Sequence, residues 1–553
     1  DNPVQFTANL SDKLHPKISL PPDIFGAERK NSFGPLLPEP MMRDKLIKDI
    51  QKFLLQPYEA APIIDGKSLT GVRQTKYDPS DNRRALGTSI DCTTDDVARA
   101  MEVAHHTQHE WDKMGGAARG KILARAADLF EFHMPQLVAL IVREGGRTLQ
   151  SAINDFREAV DFLRYYGAQA AREFETPVRL PGPTGEQNEL WLRGRGVFVC
   201  IAPWNFPLAI FTGQATAALA AGNSVIAKPA GQTPMVAHYA VKLLHQAGVP
   251  TGVLHFTPGS GSALGKVFVE SKYTAGIAFT GSTQTALTIY RGLAARGTPI
   301  VPLIAETGGQ NCMIVDSSAL LEQACDDILT SAFDSAGQRC SALRVAFVQE
   351  DIADRLIELL KGAAAEWQLG DPLDISTDIG PVIDANAREG LLKHIARMEK
   401  EATIHFTAEL PGETANGTFF APRIVELQNI SQLPDEVFGP VLHIIRFKGN
   451  DLKAALEEIN STGFGLTVGV HSRLDEIHEL VRQEIRAGNL YVNRTMIGAV
   501  VGVQPFGGEG LSGTGPKAGG PHYLHRFATE RTVSINTTAA GGNASLLNMV
   551  GGE

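Results

Sequence analysis

Short apolar runs rich in β-branched residues recur at 197–202, 224–228, 253–257 and 276–280, each followed by chain enough for one helix. A start-to-start spacing of about 25 residues is that of parallel βαβ units, in which every crossover needs the length of a helix. This stretch is therefore expected to build a nucleotide-binding α/β layer. The alternation resumes at 312–316, 343–349, 442–447, 466–471 and 488–493, which predicts a second α/β domain. At 553 residues the chain exceeds what one core supports, since single cores stop growing near roughly 250–300 residues. Two large domains are the expected outcome.

Around these units the signals differ. The first 40 or so residues hold seven prolines and no sustained period, so 1–44 reads as an extended arm. From there to about 175 the signals are helical. Thr94-Asp95-Asp96 caps a run with Val97, Met101 and Ala104 on one face, a second helix runs through Ile122, Ala126 and Phe130 to Pro135, and a third covers 151–173. The segment 176–196 looks like a polar hairpin, 532–536 like a closing strand, and 538–553 like a flexible tail of low complexity.

Apolar content of 43% and charged content of 20% are those of a globular protein, and a net charge of −10 argues against a nucleic-acid partner. Five cysteines are too few and odd in number for a disulfide framework, which points to a reducing, cytoplasmic compartment. No apolar run reaches the roughly 18 residues of a membrane span, and no signal peptide is visible. Asp1 in place of an initiating Met suggests a piece of something longer. No HExxH or comparable ligand spacing occurs, so no metal is expected, and His105-His106 reads as a solvated helix face.

Three segments carry chemistry: APWNFP at 202–207, ETGGQN at 306–311 and GQRCSA at 337–342. Cys340 follows a cation among small neighbours, where a thiolate is favoured and a carbonyl can approach. Glu306 stands at the end of the strand-like run 300–305, and its glycines leave room for a water that it could activate. Asn205 lies just past the strand 197–202, where its amide could hold an oxyanion. PGSGSALG at 258–265 approximates a dinucleotide loop, but the GxGxxxG spacing is weak. FTGST at 279–283 closes a strand and opens a helix, so its N–H groups and the Ser282 hydroxyl can face a pyrophosphate.

With these three segments in place, the chain resembles the aldehyde dehydrogenase superfamily from about residue 45 to 535. The resemblance implies a Rossmann-type nucleotide-binding domain (45–175 and 197–307), a second α/β catalytic domain (308–525) and a β oligomerisation flap (176–196 and 526–537) that makes a homodimer. It implies Cys340 as nucleophile, Glu306 as general base, and Asn205 with the Cys340 N–H as the oxyanion hole. For the cofactor it implies Ile201, Trp204, Lys228, Gly281 and Ser282 along the adenosine and diphosphate path, and Glu436 and Phe438 at the nicotinamide ribose. NAD is the expected cofactor. NADP stays open, because Gly231 stands where the family commonly has a Glu that holds the ribose hydroxyls. The loop 494–508 and GQRCSA are similar to those of L-glutamate γ-semialdehyde (pyrroline-carboxylate) dehydrogenases, above all the C-terminal half of bifunctional proline utilization A proteins. That implies Ser341, Gly498 and Ala499 at the substrate's α-carboxylate and Phe206 and Phe506 along its stem. It also implies fusion to a flavin-dependent proline dehydrogenase half, which the arm's KISLPPDIFGAERKNSFG resembles a linker to. Two alternatives stay open: a semialdehyde dehydrogenase of broader specificity, and a catalytically silent binding protein of the same fold.

Overall fold

The computed structural model describes residues 17–183 and 185–537; the predicted tail and the arm's first 16 residues lie outside the described residues. Five parallel strands lie side by side in the order Leu303–Glu306, Thr274–Thr280, Val197–Ile201, Ser224–Lys228 and Leu254–Phe256. A hairpin, Ile63–Ile64 and Lys67–Ser68, extends this sheet antiparallel at one edge. Val197–Ile201 and Ser224–Lys228 are buried almost throughout, because helices cover both faces of a parallel sheet. That is why they read as unbroken apolar runs rather than alternating ones. The strand order reverses on either side of Val197–Ile201. In such sheets a crevice opens at the carboxyl ends of the strands where the order reverses, which here means beyond Ile201 and Thr280.

A second sheet runs Thr403–Thr407, Arg423–Leu427, Val441–Phe447, Val345–Gln349, Cys312–Val315, Thr467–His471 and Asn489–Val492, parallel except for Thr403–Thr407 at its edge. It has its own core, including Met313, Phe347, Leu356 and Ile444. Glu186–Gly194 pairs antiparallel with Val178–Leu180 and with Ala528–Asn536 in a third, mostly exposed sheet, Trp191 facing Arg531.

Several expectations need correcting. Residues 58–90, taken as part of a helical stretch, hold five strands from Tyr58–Ala60 to Asp81–Ile90. The missed signal is Asp65-Gly66, whose φ values of 51° and 72° make the tight hairpin turn that Asp-Gly favours. Gly87 lies at φ 151° against Tyr58, where a Cβ would fall 1.9 Å from the Tyr58 carbonyl oxygen. The cap of helix Thr94–Lys113 is Thr93, not Thr94: its hydroxyl accepts from Asp96 N–H while the Asp96 carboxylate accepts from Thr93 N–H. The arm also turns helical before residue 44, at Pro40–Leu54, with Glu39 accepting from Met41 and Met42 N–H. The strands Thr403–Thr407 and Arg423–Leu427 have no counterpart among the runs expected from the sequence. Among the described residues no helix is long and apolar enough to cross a membrane.

Candidate active site

Cys340 sits in a turn held from several sides. Helix Leu321–Phe333 ends in Ser335 and Ala336 at φ 57° and 54°, left-handed values that non-glycine residues adopt only when their surroundings impose them. Gly337 completes the turn at φ 66°, with the Gly439 carbonyl so close that a Cβ would lie 2.2 Å from it. Arg344, buried, donates to the carbonyls of Gly337 (2.6 Å) and Arg339 (2.9 Å). Asn311 donates to those of Cys340 (2.6 Å) and Ala342 (2.9 Å). The Cys340 backbone is thus fixed before any ligand arrives.

Asn205 follows Val197–Ile201 and leads into helix Ala209–Ala220, whose first N–H groups, Leu208 and Ala209, are met by Asp155. One hydrogen of its side-chain amide goes to the Gln338 carbonyl at 3.1 Å. Glu306 ends the strand Leu303–Glu306, and Gly508 N–H donates to its Oε2 at 3.2 Å, while buried Oε1 has no hydrogen-bond partner among the described residues. Burial pushes this carboxyl up to about 8. The glycine that gives Glu306 its room is Gly507, whose Cβ would lie 2.8 Å from Oε1. Gly308 instead admits Glu436, 1.7 Å from where its Cβ would be.

The expectation of a favoured thiolate is not met. Burial, with Glu436, Glu306 and Glu158 nearby, pushes the Cys340 thiol up to about 12. Arg339, adjacent in sequence, turns away to pair with Asp334, to donate to Ser335 Oγ at 3.2 Å and to lie over the Phe206 ring at 5.2 Å.

Three adjoining cavities gather every residue singled out in the sequence. The first, of about 100 Å³, holds Cys340, Glu306, Phe206, Ser341, Gly498, Ala499 and Phe506. The second, of about 840 Å³, opens at the switch in strand order and is lined by Ile201, Trp204, Lys228, Gly281 and Ser282. The third, of about 390 Å³, joins them: it shares Trp204, Gly281 and Ser282 with the second and Cys340 with the first, and adds Asn205, Glu436 and Phe438. Cys340 therefore faces both ends of one path.

The second cavity suits a dinucleotide. Gly231, Gly261 and Gly265 line it, and a Cβ at any of them would meet nothing within 4 Å, so the wall is bare backbone. Buried Lys228 supplies a donor whose charge burial weakens, its ammonium being pushed down to about 8. Ser282 caps helix Thr283–Ala295 at the junction with the third cavity. Of the donors expected to face a diphosphate, Gly281 N–H is already used by the Glu306 carbonyl at 3.1 Å. Glu436 pairs with Arg344 at 3.0 Å, and Trp204 stands edge-on to Phe438 at 5.6 Å.

A sequence model of the aldehyde dehydrogenase family matches residues 67–533. The chain belongs to the aldehyde dehydrogenase family. Among curated aldehyde dehydrogenase relatives, the bifunctional protein PutA of Escherichia coli (strain K12) is 47% identical over 94% of this chain. The chain spans only 39% of that relative's length. A 1-pyrroline-5-carboxylate dehydrogenase of Geobacillus thermodenitrificans is 37% identical, covering 86% of this chain and 92% of the relative. The crystal structure of the Thermus 1-pyrroline-5-carboxylate dehydrogenase with bound NAD matches at a TM-score of 0.87 and 34% identity, over 92% of this chain and 99% of that one.

Among the lining residues not expected from the sequence is a carboxylic acid. Glu158, on helix Leu149–Glu173, lines the first cavity, and burial with Asp155 close by pushes its carboxyl up to about 8. The signal is present: Asp155, Glu158 and Asp161 recur at i, i+3 and i+6 on the face that carries Ala152, Phe156, Ala159 and Phe162. Acids on an apolar stripe require partners.

Proposed function

We propose that this chain oxidises L-glutamate γ-semialdehyde to L-glutamate, the second step of proline catabolism, with NAD as oxidant. The observation that carries this is the placement of Cys340 on both the small cavity and the path that leads to the dinucleotide cleft. Cys340 gives up its thiol proton to water and adds as the thiolate to the aldehyde carbon, and the free amide hydrogen of Asn205, with the Cys340 N–H, holds the oxyanion. A bound nicotinamide supplies the two-electron acceptor. Lys228 and Ser282 would hold its adenosine and diphosphate portions, and Glu436 and Phe438 its nicotinamide ribose. The oxidised carbon is then a thioester on Cys340, and Glu306 takes a proton from the water that hydrolyses it.

Substrate choice rests on the cavity's two kinds of polar group. Ser341 and the backbone at Gly498 and Ala499 offer donors to an α-carboxylate, Gly498 at φ 77° with open space beside it. Glu158 offers its carboxyl group to the α-ammonium, whose positive charge would favour the ionised form. Phe206 and Phe506 flank the methylene stem. The same reading assigns 45–175 and 197–307 to cofactor binding, 308–525 to the nucleophile, and 176–196 with 526–537 to a dimerising flap. It places a flavin-dependent proline dehydrogenase half in the full-length, cytoplasmic protein, in keeping with the 39% coverage of PutA.

Steady-state assay of the purified chain with the semialdehyde, and with hexanal as an aldehyde lacking the α-carboxylate, tests this with NAD and NADP in turn. NADH formation with a strong preference for the semialdehyde is expected. Equal use of hexanal, or no reduced cofactor with any aldehyde, overturns it.

A further inference from the structure

The arm and the loop that faces the substrate meet at one buried side chain. Arg29 is 8% exposed, although it belongs to a segment whose Ile18, Ile24, Phe33 and Leu36 are at least half exposed. Its guanidinium lies 3.6 Å over the Phe25 ring, Nη1 donates to Asp161 Oδ1 at 2.9 Å, and Nη2 donates to the Val501 carbonyl at 2.7 Å. Ser32 doubles the hold on Asp161 through its N–H (3.1 Å) and hydroxyl (2.8 Å). Gly502, at φ 77°, leaves the space that Tyr165 and Arg29 occupy: a Cβ there would lie 3.1 Å from the Tyr165 ring and 3.3 Å from Nη2.

Val501 closes the turn that carries Gly498 and Ala499 into the cavity. On the N-terminal side that turn is fixed by Met496 N–H on Ser331 Oγ at 3.1 Å. On the C-terminal side it is fixed by Arg29 and by Gly502 N–H on the Gly519 carbonyl at 2.9 Å. Asp161 belongs to the same helix as Glu158, one turn further on. A rigid fork that joins this helix to the loop sets the distance between a cavity carboxylate and the loop's donors.

We propose that Arg29 is a positioning residue for substrate recognition: it clamps the arm, helix Leu149–Glu173 and the loop at Val501 into the spacing that reads a carboxylate-bearing aldehyde. This rests on the function proposed above and adds a determinant outside the cavity. An alkyl aldehyde makes no demand on the loop's donors, so the clamp matters for one substrate class only.

The decisive variant is Arg29→Lys, which keeps a cation for Asp161 but cannot also reach the Val501 carbonyl; Arg29→Met removes both contacts. KM and kcat are measured for glutamate semialdehyde and for hexanal, with thermal midpoints alongside. Loss of one charge-assisted bond predicts a rise of about tenfold in KM for the semialdehyde in Arg29→Lys, at unchanged kcat and unchanged kinetics with hexanal. An unchanged semialdehyde KM in Arg29→Lys, or an equal fall with both aldehydes, overturns the proposal; should Arg29→Met fail to fold, the kinetics of Arg29→Lys decide alone. A wild-type chain indifferent to the α-carboxylate would instead sink the functional reading, so the two failures are told apart.

Discussion

Asn205 illustrates how little freedom a single side chain of the candidate site has. Its amide nitrogen carries two hydrogens; the Gln338 carbonyl takes one, which fixes the group, and leaves one for an oxyanion. Asn205→Ala should lower kcat by roughly a hundred- to thousandfold, about 2.7–4 kcal/mol in the transition state, with little change in KM; a KM effect alone would argue against the oxyanion role. Glu306 carries a pH signature. Only its ionised form accepts a proton from water, and burial pushes its carboxyl up to about 8, so thioester hydrolysis should accelerate as pH rises through that value. In Glu306→Gln the limb disappears and acylated Cys340 accumulates, readable as a mass increase on the intact chain; a variant that turns over normally and shows no adduct would remove Glu306 from the mechanism. These candidates were picked out from the sequence, whereas the thiol's environment was not legible there. Arg339 neighbours Cys340 along the chain, yet Asp334 and Ser335 take its guanidinium, and no spacing in the sequence announces that.

At the scale of elements, legibility followed burial. Strands covered on both faces, such as Ser224–Lys228, stand out as unbroken apolar runs, and the alternation located them to within a few residues. Strands with an exposed face, such as Arg73–Asp78 or Thr403–Thr407, mix polar residues into short runs and left no such trace. The turn at Cys340 shows why elements matter beyond their own residues. Arg344 opens toward it from just before strand Val345–Gln349 and ties the Gly337 and Arg339 carbonyls to the Glu436 carboxylate, with its guanidinium 5.1 Å from the Phe438 ring. Arg344→Met leaves Glu436 buried without its counter-charge and the left-handed turn without two of its donors. Losing a bond to a charged partner costs about 1.5–3 kcal/mol, so dinucleotide affinity measured by calorimetry should fall at least about tenfold. Alkylation of Cys340 by iodoacetamide in the cofactor-free protein should change rate as well, since the turn's geometry changes. Wild-type affinity and alkylation rate together would show that the turn holds without Arg344.

For the whole molecule, buried titratable groups pull stability in opposite directions with pH. Glu144, Glu158 and Glu306 are each pushed up by burial to about 8 from an ordinary 4.5. The folded chain then binds their protons more tightly than the unfolded one, so their contribution is complete below 4.5 and is lost as pH rises through about 8. His238, His255, His394 and His471 are pushed down by burial to about 4 from 6.5. Here the unfolded chain binds the protons, so this contribution is complete above 6.5 and is lost as pH falls toward 4. Between 4.5 and 6.5 the two trends oppose one another, and above about 6.5 only the carboxyl loss remains, so the thermal midpoint is expected to fall from about pH 6.5 toward 8. Activity, tied to ionised Glu306, should still be rising there, so the chain is expected to work fastest where its stability is already falling. Glu306→Gln separates the two effects: it should flatten part of the alkaline loss in a calorimetric series from about pH 5 to about pH 9 while abolishing turnover. A midpoint that climbs steadily to pH 9 in the wild-type chain would show that these carboxyls are ionised in the fold, and the same result would deprive Glu306 of its limb near 8 in the rate profile.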